Sequence, residues 1–442
     1  MDIIALLQSI DKSLEARTMR QLRVIVTAML SMTGRVTMLG VSRWAGKGGS
    51  YRTIQRFYNE SINWSKINWL LIRHYLWNDD DTLLIAGDET VVTKAGQETY
   101  GLDRFFSSLF GKPVPGLAFF AVSLISVKRR SSSVVVMEQL TKEQSTSGQA
   151  KSKDVKATQT KVPRKRGRPK GSKNKNRRDV ELPPYLQHIQ TLLTRLLALV
   201  GSQANLVYCV LDGAFGHNNG LQMVRRCGLH LICKLRSNSA LYQPYQGPQK
   251  KRGAPRKYGQ RLDYDHLPTE ACVDTCIKDQ IRTDIYHLQL WHKRFPDLLN
   301  VVIIVKVNLS TNKRAHVILF SSDLSLSWSN LVDYYRLRFQ IEFNFRDAKQ
   351  FWGLEDFMNV KQLPVHNAAN LAMFMVNVSQ ALILSQTLSI PDFSVNDLKA
   401  HFRGQRYLQE LLKFLPLTLD PFFIRHLSAN IGFLGAIRNP YP

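Results

Sequence analysis

Acidic residues are scarce in this 442-residue chain: 34 Asp and Glu stand against 60 Lys and Arg, giving a formal net charge of +26. Such an excess points to a polyanionic partner, most often nucleic acid. Cysteine is scarce too. Cys209, Cys227, Cys233, Cys272 and Cys276 are odd in number and show no secreted framework. Cys272 and Cys276 lack a second Cys/His pair at zinc-site spacing, so reduced thiols are expected. The N-terminus carries Asp2 and Asp11 and no cleavable signal pattern. No apolar run is fit to span a bilayer: Leu371 to Leu384 is short and interrupted by Asn377 and Gln380, and reads as a buried helix. No internal repeat is visible. What is left is a soluble intracellular chain, 44% hydrophobic, long enough for a sizeable core and more than one domain.

Residues 1–78 read as helical, with Leu22, Ile25, Val26 and Met29 at helical spacing. Within them, Val36 to Ala45 and Ser50 to Tyr58 flank the glycine break Gly46-Lys47-Gly48-Gly49. Two short helices, the second basic with Ser50 as N-cap, suggest a helix-turn-helix whose contacts include Arg43, Lys47, Arg52 and Arg56. The period then changes. Leu83 to Gly87 reads as a buried strand ending at Asp88-Glu89-Thr90, and Phe119 to Val127 and Ser133 to Leu140 as a hairpin beside it. Residues 141–178 are polar and rich in Lys and Arg, a composition that cannot bury enough surface to fold alone. Inside them, Pro163-Arg164-Lys165-Arg166-Gly167-Arg168-Pro169-Lys170 is AT-hook-like. Gly and Pro keep it thin and extended, so Arg166 and Arg168 can enter a narrow A·T minor groove.

After a helix from Pro183 to Val200, Asn205 to Leu211 is a second apolar strand ending in Asp212. A helix from Asn219 and a strand from Leu229 follow. Strand, helix, strand predicts a parallel βαβ unit with Asp212 at the carboxyl end of its first strand, where open α/β sheets place their sites. Residues 237–321 read as a β-rich insertion, with strands at Asp279 to Trp291, Leu299 to Val307 and Arg314 to Phe320. Asp323 and Ser325 are the expected caps of the next helix.

That next stretch runs from Tyr334 to Lys349. On one continuous helix, Tyr335, Arg338, Glu342 and Lys349 share an arc of about 60°, with Arg346 beside them. Leu337, Ile341 and Phe345 form a separate apolar row and can face a core. One carboxylate in a row of cations suits a metal ion bound beside a phosphate chain. Asp88, Asp212 and Glu342 therefore form a trio of the kind that holds two divalent ions for in-line phosphoryl displacement. Arg338 and Lys349 would hold flanking phosphates, and Tyr335 could donate a hydrogen bond to one.

These residues resemble the DDE transposases of bacterial insertion sequences, in the group marked by the YREK signature: Tyr335, Arg338, Glu342 and Lys349 keep every spacing. The likeness spans roughly residues 80 to 360. It implies a ribonuclease H-like catalytic core in an α/β chain, with Mg²⁺ (two ions, Mn²⁺ as a substitute) on Asp88, Asp212 and Glu342. Tyr335, Arg338 and Lys349 would grip terminal phosphates. The resemblance further implies cut-and-paste movement, often through a hairpin at the transposon end. The partner would be double-stranded DNA, as terminal inverted repeats and as target, bound by a homodimer on paired ends without a membrane, in the bacterial cytoplasm at the nucleoid. Two departures stand out. Phe339 occupies a position often held by Trp, and where the family often has an insertion Trp to support the flipped base at the hairpin, Trp291 is the first candidate and Trp328, past the insertion, the second.

The expected order is a helical DNA-binding domain (1–78), a first part of the ribonuclease H-like core (79–140), a basic linker (141–178) and a second part of the core (179–236). A β-rich insertion (237–321), a catalytic helix (322–362) and a helical C-terminal region (363–442) complete it. The alternative is a noncatalytic or domesticated DNA-binding protein using the AT-hook-like segment. A related nuclease without strand transfer is a third reading.

Overall fold

The computed structural model describes residues 3–107, 110–141, 176–249, 251–387, 392–415, 420–432, 434 and 436–437. The chain is mixed α/β and divides into two compact units. The first comprises Met1–Leu140, Arg195–Asn205 and Phe339–Pro442, the second Thr141–Thr194 and Leu206–Arg338.

The first unit opens with five helices: α1 (Ile3–Gln8), α2 (Ala16–Ser31), α3 (Met38–Trp44), α4 (Tyr51–Tyr58) and α5 (Trp64–Leu71), the last running into a π-turn over Ile72–Leu76. Helices α2, α3 and α4 pack on one another. The turn between α3 and α4 needs its glycines, since Gly46 and Gly48 have φ of +66° and +87°. Ser50 caps α4 as expected, accepting from the Thr53 amide at 3.3 Å.

Four strands follow: β1 (Leu83–Thr93), β2 (Asp103–Ser107), β3 (Lys112–Ser126) and β4 (Ser131–Leu140). Antiparallel β3 pairs with β1, β2 and β4. Asp88 therefore lies in mid-strand, opposite Ala121, and not at a strand end. The β-branched run Thr90-Val91-Val92-Thr93 carries the strand past the two carboxylates.

The C-terminal part supplies α9 (Gln340–Phe351), α10 (Gln362–Thr387), α11 (Val395–Leu412) and α12 (Pro421–Ile431) to this unit; α6 to α8 lie earlier in the chain and are given below. Helix α10 is longer than the sequence reading allowed, and long and apolar enough by composition to cross a membrane, but 78% of that window is buried inside the protein. Its polar residues have a use. Asn370, Asn377 and Gln380 donate to the Met137, Val134 and Ser132 carbonyls of β4 at 3.2, 2.8 and 3.0 Å. These bonds occupy backbone acceptors on β4 that a buried environment would otherwise leave costly. Buried Phe374, Met375, Leu371 and Val378 fill the space around them. Each such side chain contributes about 1.5–3 kcal/mol.

Helix α6 (Pro184–Val200) carries the chain across the division between the units. The second unit then holds β5 (Tyr208–Val210), α7 (Asn218–Arg226) and β6 (His230–Leu235), with β5 and β6 parallel as predicted. The insertion adds β7 (Leu241–Pro244), β8 (Tyr258–Arg261), β9 (Cys272–Lys278), β10 (Ile281–His292), β11 (Leu299–Asn308) and β12 (Arg314–Ser321). From β6 the sheet runs antiparallel through β12, β11, β10, β7 and β8, with β9 also on β10.

Helix α8 (Trp328–Leu337) closes the unit. Its cap is Ser327, which accepts from the Asn330 amide at 3.2 Å, not Asp323 or Ser325. Asp323 is engaged elsewhere, accepting from Tyr208 Oη at 2.7 Å and from the Ser325 amide and hydroxyl. The expected single helix from Tyr334 to Lys349 is two. At the junction the bonds shorten in span, with Arg338 N–H reaching Tyr335 O and Glu342 N–H reaching Phe339 O. Such i→i+3 bonds tighten the backbone and end α8 before α9 begins. All five cysteines are free.

Candidate active site

In the first unit, α9 packs on β1, the strand of Asp88. Ile341, Phe345 and Ala348 are buried, and Asn344 donates to Ser132 Oγ at 2.9 Å, so that face is fixed. Glu342 is half-buried in the first turn of α9. There a carboxylate sits well against the positive end of the helix. Lys349, two turns on, donates from Nζ to Val91 O at 2.8 Å and pairs with Glu355 at 3.4 Å. It ties the helix of Glu342 directly to the strand of Asp88. Asp88 is half-buried and also accepts a bond from the Glu89 amide at 2.8 Å.

The second unit gathers Asp212, Tyr335 and Arg338. Asp212 follows β5 and caps the short turn Gly213–Phe215, accepting from the Ala214 amide at 3.0 Å. A Cβ on Gly216 would lie 2.2 Å from Lys234 O, so only glycine lets this turn settle on β6. Tyr335 is pushed up to about 12, first by burial and then by the charges of Cys233 and Asp212, while Arg338 opposes the rise and hydrogen-bonds the phenol. The phenol is thus a neutral donor at physiological pH. Cys233, which the sequence reading did not single out, donates from Sγ to Asp212 O at 2.8 Å. Burial raises its thiol well above the ordinary range. The expected parallel pairing of these two strands was the signal available; the register that sets Val210 beside Ile232, and so brings the next residue of β6 alongside the Asp212 turn, comes from the structure.

The remaining expected contacts are dispersed. Arg52 and Arg56 are exposed on α4 with Tyr51 and Gln55, while Ile54 and Phe57 face the core. That is the outward face a helix-turn-helix would present to a groove. Arg346 is exposed on α9, paired with Asp347 at 2.9 Å and stacked over Phe343. Phe339 is 48% exposed and meets Phe343 edge-on. Trp291 stands edge-on to Tyr258 with Lys257 over its ring. Arg166 and Arg168 lie outside the described residues.

Asp88 and Glu342 thus share the first unit, and Asp212 belongs to the second. Among the described residues, no group of three or more His, Cys, Asp or Glu side chains is close enough to hold a metal ion. The donor chemistry nevertheless fits a hard divalent cation. Mg²⁺ is commonly held by one or two carboxylates completed by substrate phosphates and water, not by an all-protein cage.

Comparison with known families matches residues 9–295 to the family described as DDE superfamily endonuclease. The matched span takes in α2 to α5, Asp88 and Asp212, and stops before Glu342. No curated protein matches the chain.

Proposed function

The chain belongs to the DDE superfamily endonuclease family, and from that premise we propose that it is a DNA transposase of the YREK group, which cuts the ends of an insertion sequence and joins them to target DNA. The observation that carries this reading is the Lys349 bond to Val91, which binds the helix of Glu342 to the strand of Asp88 inside one unit of a family member.

In this reading Asp88, Asp212 and Glu342 would hold two Mg²⁺ ions within a ribonuclease H-like core, and the chemistry supplied there would be activation of water or a 3′-hydroxyl and stabilisation of the leaving oxygen. The chain's own residues do the rest. Tyr335, kept protonated, donates to a phosphate oxygen. Arg338 offers its fork to the same phosphate chain while holding the Tyr335 ring in place. Lys349 fixes α9 first, and grips phosphate only if its amine leaves Val91. Arg52 and Arg56 on α4 contact the transposon end, and Arg166 and Arg168 add A·T-biased affinity. The working form is a cytoplasmic homodimer on paired ends, with residues 1–78 as the DNA-binding domain and 237–321 as the insertion.

An excision assay tests it. A marker flanked by the gene's own genomic borders is supplied with wild-type chain or Glu342→Ala. Precise loss of the marker with wild type alone is expected. No loss with either, while purified protein still shifts border DNA, would move the assignment to a DNA-binding protein.

A further inference from the structure

The segment that follows α9 touches three parts of the first unit at once. At its start Gly353 has φ +78°, and a Cβ there would lie 2.4 Å from Val36 Cβ. Asp356 accepts from the Val36 amide at 2.9 Å and from Arg35 Nε at 3.2 Å. Val36 immediately precedes Thr37, the cap of α3, so this carboxylate holds the entry to the helix-turn-helix. Lys94, just past β1, donates to Glu355 O at 3.2 Å and Phe357 O at 2.7 Å and lies 3.5 Å over the Phe357 ring. Glu355 pairs with Lys349 of α9, and the Tyr100 amide donates to Val360 O at 2.8 Å.

Each contact has a different weight. Arg35 is 70% exposed, so its pairing with Asp356 is screened and weak. The Val36 amide is the partner that matters, since a backbone donor in a part-buried turn is costly to leave unmet. The segment covers Lys94 through two carbonyls and the Phe357 ring, and this burial pulls the amine down to about 8.

We propose that Asp356 is a positioning residue: through the Val36 amide it couples the seating of α3 and α4 on DNA to the placement of α9, and so of the Glu342 carboxylate. This rests on the transposase reading for what Glu342 does, and on DNA binding by α4. It adds a link by which engagement of a transposon end sets the catalytic helix.

The test compares full-length wild type, Asp356→Ala and Asp356→Asn on duplexes cut from the gene's borders. Melting, DNA affinity and single-turnover cleavage at saturating duplex are measured. Asp356→Ala leaves the Val36 amide unmet and should melt a few degrees lower, yet stay folded at the assay temperature, bind within about twofold of wild type and cleave at least tenfold more slowly. Asp356→Asn keeps an acceptor for the Val36 amide and should recover most of the rate. Hydrogen exchange adds a readout that needs no cleavage: bound duplex should slow exchange of the Tyr100 amide in wild type and not in Asp356→Ala.

Wild-type rate in Asp356→Ala overturns the proposal, as does a wild-type Tyr100 amide indifferent to bound DNA. A parallel loss of folding or affinity also overturns it, because that marks a purely structural residue. Failure of the transposase reading looks different. There the wild type would cut nothing while its Tyr100 amide still answers to DNA, and the coupling would survive.

Discussion

Asp88 and Asp212 are supported in opposite ways. Asp88 sits in the middle of an 11-residue strand with β3 along its whole length and α9 packed against it. Asp212 follows a three-residue strand, and its backbone is set by a capped turn, one thiol and one glycine contact. A ladder spreads a disturbance over many bonds, whereas a turn concentrates it on few. The surroundings of Asp88 should therefore tolerate single changes that those of Asp212 do not.

The largest expected effect ignores this difference. Asp88→Ala, Asp212→Ala and Glu342→Ala should each lower metal-dependent cleavage by about a thousandfold or more while leaving the fold intact, since each removes an anionic ligand. Cleavage retained in all three mutants would falsify the assignment of the trio.

Glycine substitutions bear on the comparison directly. An added Cβ at Gly216 meets Lys234 O at 2.2 Å, and one at Gly116 of β3 meets Val92 O at 2.4 Å. Both changes should cost about 1–3 kcal/mol in urea unfolding, as overpacking does. Gly216→Ala should also depress cleavage by the folded fraction about tenfold, and Gly116→Ala less than threefold. Equal losses of activity would break the comparison.

A smaller effect should follow from removing residues 150–178, which are remote in sequence from both acids. DNA affinity at moderate salt should fall about tenfold and its salt dependence should flatten, with the cleavage rate at saturating DNA unchanged. An unaltered salt slope in the deletion would show that the linker does not touch phosphate.

The smallest effects are on stability against pH, and they differ between the units. Burial pulls Lys399 of the first unit down to about 8 from 10.5, with Arg403 adding to the fall. Between those values the unfolded chain binds more protons, so stability should rise with pH from about 8 to about 10.5. Lys399→Met should flatten that rise in a melting series. In the second unit burial works to raise Asp323, but the hydrogen bonds from Tyr208 and Ser325 outweigh it and hold the carboxyl below its ordinary range. Its contribution is present above the ordinary carboxylate range and is lost as pH falls. Tyr208→Phe should reduce the acid sensitivity, and an unchanged acid limb would remove Asp323 as its source.

Much of this was legible in the residues, for identifiable reasons. The buried faces of α8 and α9 followed from Leu337, Ile341 and Phe345 at helical spacing, and all three are buried. The parallel pair β5 and β6 followed from two apolar runs around a helix. The break at Arg338 and Phe339 did not, because both residues keep right-handed helical angles, with φ of −49° and −60°. Only the hydrogen-bond spacing changes there. Asp88 and Glu89 imitated a strand end because two consecutive polar residues, one on each face, interrupt the apolar run in sequence just as a strand end would. Strands β7 and β8 are short and carry Pro, Gly and Gln, which masks them. In α10, Asn377 and Gln380 were visible as interruptions. Their use was not, because it depends on carbonyls of β4 far away in the chain.

Those same amides bear on how the protein is made. Strand β4 is complete at Leu140, but the helix that bonds its carbonyls begins at Gln362. At ordinary translation speeds the interval is on the order of tens of seconds. Throughout it the nascent chain should carry the apolar stretch Val134 to Met137 with α5 against it but without the part of its cover that α10 supplies. A ribosome-associated chaperone is therefore expected to hold this strand until α10 emerges, and shortening that interval by circular permutation should raise the soluble yield.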